Sequence, residues 1–86
     1  MTNQSSQKQE YQEYFKGMSD RKLIDAFNRE VGNSGWTSSR ASYLAALGEE
    51  FENRNYDYSD IGDTGTLSFK NKVKLIFNKI IVDETN

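Results

Sequence analysis

Leu67-Ser68-Phe69-Lys70-Asn71-Lys72-Val73-Lys74-Leu75-Ile76-Phe77-Asn78-Lys79-Ile80-Ile81-Val82 can be wound as a helix or folded as a hairpin, and the choice sets the fold class. As a helix, Phe69, Val73, Ile76, Phe77 and Ile80 form one apolar stripe. As strands, Phe69, Val73, Leu75 and Phe77 alternate with Lys70, Lys72 and Lys74, and Ile80-Ile81-Val82 is β-branched throughout. Asn78-Lys79 then supplies a two-residue turn, in which Asn tolerates a positive φ. The hairpin is the preferred reading.

Upstream, the periodicity is helical. Tyr11, Tyr14 and Phe15 are spaced for a short helix from about Gln9 to Lys16, ended by Gly17. Ser19 is placed to cap a second helix, in which Leu23, Ile24, Phe27 and Val31 make an amphipathic stripe that Gly32 stops. Thr37 or Ser38 caps a third helix running to about Asn53, with Leu44, Leu47 and Phe51 on its buried edge. Trp36 is set to fold back on Ala41 as a staple, and Gly48 leaves room for another segment to approach. Residues 55–66 read as a loop pinned to the body by Tyr56, Tyr58 and Ile61.

The expected architecture is therefore α+β: a small three-helix domain, with a helix-turn-helix-like pair, followed by a C-terminal β-hairpin. An all-α four-helix arrangement is the alternative. Residues 1–9 read as a disordered polar tail, 10–82 as one globular domain and 83–86 as a second tail. The expected core is Tyr14, Phe15, Leu23, Ile24, Phe27, Val31, Trp36, Leu44, Leu47, Phe51, Ile61, Leu67, Phe69, Val73, Leu75 and Ile80.

With no His and no Cys, the 86-residue chain has no disulfide, thiolate ligand, Cys nucleophile or imidazole base. Catalysis would fall to Asp, Glu, Lys, Tyr and Ser alone, so neither an enzyme nor a cofactor is expected. The first ten residues hold no apolar stretch of signal-peptide type, and no apolar run approaches a membrane span. A cytoplasmic protein is the expectation.

Three motif matches fail on inspection. In a calcium loop begun at Asp57, Ile61 and Ser68 fall where oxygen ligands and a bidentate Glu are needed. Asp63-Thr64-Gly65-Thr66 has the short aspartic-protease signature, but Gly62 precedes it where an apolar residue belongs. Ser19-Asp20-Arg21-Lys22 has Ser-x-x-Lys spacing, yet Ser19 already has a capping role.

Charge is uneven. Glu49, Glu50, Glu52, Asp57, Asp60 and Asp63 face a single Arg54 within residues 49–63, whereas residues 67–82 hold four lysines and no acid. The leading functional expectation is a non-catalytic module that binds an unidentified protein through an acidic aromatic surface. Its candidate contacts are Trp36, Tyr43, Tyr56, Asp57, Tyr58 and Asp60. A hairpin edge left open could also pair with a second copy, giving a homodimer.

The order helix, helix, helix, hairpin resembles a winged helix-turn-helix domain, which implies a nucleic-acid-binding regulator as the alternative. Ser39 and Arg40 would then lie at the recognition-helix start, with Lys70, Lys72, Lys74 and Lys79 on the wing. A pI of about 5.0 and the run Glu49-Glu50-x-Glu52 argue against nucleic acid. The richness in Asn, Lys, Ile and Tyr resembles that of small bacterial or mobile-element proteins.

Overall fold

The computed structural model describes residues 3–33, 35, 37–63 and 66–84; Trp36 and its expected staple lie outside them. Three helices precede two small antiparallel hairpins: α1 (Asn3–Lys16), α2 (Asp20–Glu30) and α3 (Ser38–Asn53), then β1 (Gly62–Asp63) with β2 (Thr66–Leu67), then β3 (Val73–Ile76) with β4 (Lys79–Val82). This is a small α+β domain.

Local signals set the helix starts. The Ser19 hydroxyl accepts from the Lys22 N–H, and the Thr37 hydroxyl accepts from the Arg40 N–H. At the end of α2, Gly32 takes φ +80°, and its N–H donates to the Phe69 carbonyl. That contact brings the approach to the second hairpin against the helix end.

Two expectations about α1 are corrected. It begins at Asn3 rather than near Gln9, within the segment read as tail. The cause is tertiary: α1 runs alongside α3 in the same direction, Gln7 donating to the Ser39 hydroxyl and Lys8 pairing with Glu49 at 2.5 Å. Tyr14, expected in the core, is 55% exposed. Tyr11 and Phe15 face α3 instead, their rings 5.2 and 4.9 Å from that of Tyr43.

Between helices and hairpins lies an aromatic core. Phe27 stacks on Phe69 at 4.5 Å and on Phe51 at 5.8 Å, and Phe51 meets Tyr56 at 5.4 Å. Leu23, Leu47, Val73 and Ile80 are fully enclosed around them. The buried edge of α3 is rotated from the expected one. Ala46, Leu47, Glu50 and Phe51 point inward, and Leu44 is half-buried on the side.

The second hairpin has a different turn from the expected one. Ile76 pairs with Lys79, so Phe77 and Asn78 make the turn rather than Asn78 and Lys79. Moving the turn by one residue shifts the pairing by two, which keeps Val73, Leu75, Ile80 and Val82 on one face. Alternation therefore cannot choose between the registers. Two tertiary brackets settle it. The Asn28 side-chain amide donates to the Val73 carbonyl at 2.9 Å and accepts from the Val73 N–H at 2.8 Å. Beside β4, the Asp57 N–H donates to the Asn78 carbonyl and the Ile80 N–H to the Asp57 carbonyl. The open edges expected to pair with a second copy are thus closed at Val73 and alongside Lys79.

Candidate functional site

Arg54, just past α3, draws the three helices together. Its guanidinium bonds Glu50 at 2.6 Å and Asp20 at 2.9 Å, and donates to the carbonyls of Phe15 at 2.9 Å and Met18 at 2.7 Å. A cation on the last carbonyls of α1 suits the negative end of that helix. Burial opposes its charge, but Glu50, Tyr56 and Asp20 outweigh burial, so Arg54 is held above the ordinary arginine value.

Tyr56, read as a surface contact, belongs to this cluster: it is 8% exposed and donates its hydroxyl to Asp20. Burial, then the Asp20 carboxylate, pushes the Tyr56 phenol up to about 12. The Tyr56 hydroxyl and then Arg54 hold Asp20 below its usual range.

The nucleic-acid candidates are dispersed. Arg40 lies against Glu30 at 2.9 Å and donates to the Gly35 carbonyl, while Ser39 takes the Gln7 amide. Lys70, Lys72, Lys74 and Lys79 are exposed at the other end of the chain. At the α3 start, Arg40 is neutralised by Glu30.

The acidic aromatic candidates divide as well. Tyr43 is half-buried against Tyr11 and Phe15, and burial pushes its phenol up. Asp57 is exposed and locked into a local turn, accepting from both the Ser59 N–H and the Ser59 hydroxyl. Those two bonds hold Asp57 below its ordinary value. Asp60 is exposed.

Tyr58 leads to the feature that sequence reading missed. It donates to Glu52 at 2.8 Å and stands on one wall of an open groove of about 440 Å³ between α3 and the chain that follows it. Ala41, Ala45 and Gly48, about one turn apart, make a low α3 wall with Leu44 beside them. Leu67 and Phe69 complete the opposite wall. The approach anticipated at Gly48 is real: a Cβ there would lie 3.6 Å from Leu67 Cδ1.

Glu49 and Glu52 form the rim. Hydrogen bonds from Lys8, and less strongly from Gln12, hold Glu49 below its usual range. Glu52 is exposed and has no cation partner among the described residues. The small residues at positions 41, 45 and 48 were the available sequence signal, but Leu67 and Phe69 reach them only through the β1–β2 hairpin.

The arrangement offers an apolar trough with negative charge at one lip. Comparison with protein-family models, with curated proteins and with solved structures returns no match for this chain.

Proposed function

We propose that the chain is a non-catalytic protein-binding module whose α3 groove receives an apolar side chain from a partner segment with flanking Lys or Arg. The observation that carries this reading is the joining of an open apolar trough to the uncompensated Glu52 on its lip. A ring or branched aliphatic group would displace water from Leu44, Leu67 and Phe69, while a basic neighbour meets the carboxylate. Asp57 and Asp60, in the loop beyond Tyr58, extend the negative field that would steer such a segment.

Panning a phage-displayed random peptide library on the whole protein tests this. Wild type should enrich peptides with a large apolar residue between basic ones. Ala45→Phe, which fills the trough from an exposed helix position, should lose them. Glu52→Lys should lower the association rate and flatten its salt dependence. Equal enrichment on wild type and Ala45→Phe would overturn the reading.

A further inference from the structure

Phe77 is the least comfortable residue of the described chain. It takes φ +56°, a left-handed conformation that a bulky side chain adopts rarely, at the tip of the β3–β4 hairpin. No packing among the described residues compensates, because Phe77 is 95% exposed. Its neighbour Ile76 is 46% exposed, on the outward face of the hairpin that also carries Lys74 and Lys79. A two-residue turn with positive φ at its first position ordinarily holds Gly there. Here an aromatic ring stands in that place, projecting into water with ammonium groups at its base.

The same molecule carries the complementary surface: the apolar α3 trough with Glu52 on its lip. We propose that the partner of the groove is a second copy of this chain, the Phe77 tip of one molecule seated between Gly48, Leu44, Leu67 and Phe69 of the next. Lys79 or Lys74 then meets Glu52. The proposal rests on the reading of the groove as a protein-docking surface and names its occupant. An anionic lipid surface also suits an aromatic tip with lysines, but it would leave the apolar α3 trough unfilled, whereas a second copy fills it. Strand pairing through the hairpin edges is opposed where Asn28 takes the outer groups of Val73 and Asp57 those of Asn78 and Ile80.

Knob and groove are different surfaces, so the contact closes only if two molecules exchange knobs reciprocally and otherwise propagates head to tail. Sedimentation equilibrium of the whole protein from about 10 µM to about 1 mM separates the cases. Wild type should rise above the 9.9 kDa of one chain as concentration increases. Phe77→Gly removes the knob and suits the positive φ, so it should stay monomeric with an undiminished thermal midpoint. Ala45→Phe blocks the groove and should also stay monomeric. A mixture of the two variants should form a complex of two chains, because one intact knob still finds one intact groove.

Wild type monomeric throughout, association surviving in Phe77→Gly, or failure of the mixed variants to complex would each overturn the proposal. Phe77-dependent binding of phosphatidylserine vesicles by a monomeric wild type would overturn it in favour of a lipid surface. A monomeric wild type that still enriches basic-flanked peptides would overturn only the identity of the occupant. One that enriches none would remove the groove reading too.

Discussion

Tyr56 and Asp20 are displaced in opposite directions: burial and then the Asp20 carboxylate raise the phenol, while the Tyr56 hydroxyl and then Arg54 lower the carboxyl. The Tyr56 phenol ionises near 10 when unperturbed and is pushed up to about 12 in the fold. The stability it lends is therefore whole below pH 10 and lost as pH rises through about 12. Asp20 is depressed, so its contribution is present above the ordinary aspartate range and lost as pH falls through its folded value. Tyrosinate absorbance during alkaline titration should show a late step near pH 12 that is missing from Tyr56→Phe; an unchanged profile would contradict the assignment. Sequence reading placed Tyr56 as a loop anchor or a surface contact, and the structure gives the anchor. What no local pattern indicated was its partner, since Asp20 lies 36 residues away along the chain.

At the level of elements, caps and alternation were legible, whereas docking was not. Ser19 and Thr37 act within their own first turn, so sequence alone locates them. The hairpin was legible because Lys and apolar residues alternate, but its register depends on Asn28 and Asp57, which that alternation does not contain. Asn28 hydrogen-bonds α2 to β3 through two bonds to Val73, beside the apolar packing of Ile24 and Phe27 on that strand. Asn28→Ala should cost about 2 kcal/mol in urea unfolding, because it leaves the N–H and C=O of buried Val73 without their side-chain partner. Amide exchange at Val73 should accelerate more than at Leu47 in α3. Equal protection at both sites would mean that the bracket contributes nothing. The early start of α1 has the same cause as the register: Gln7 and Lys8, which tie the helix to α3, are polar and add nothing to an apolar period.

Across the whole molecule, folding partly offsets the uneven charge seen in the sequence: Glu49 pairs with Lys8, Glu50 with Arg54, and Asp57 is brought beside Lys79. The acids lie at the end of α3 and in the loop after it, while the lysines lie on and before the second hairpin. The three helices and the C-terminal hairpin were legible, but the short β1–β2 pair was not, because it falls largely in residues 55–66, which read as a loop. The site was less legible, because the groove exists only once Leu67 and Phe69 are laid over α3. With Arg40 against Glu30, labelled random duplex should show no anisotropy rise with added protein at about 50 mM salt. Binding there that collapses at about 200 mM would instead support the regulator reading. The Arg54 junction also bears on how the chain meets a protease. Trypsin cleaves after Lys and Arg, and Lys70, Lys72, Lys74 and Lys79 are displayed to it on the folded surface. The bond after Arg54 is different, for its guanidinium holds the end of α1, the start of α2 and the end of α3 at once. Cutting there requires all three to part, so the appearance of that fragment times the opening of the entire helical body.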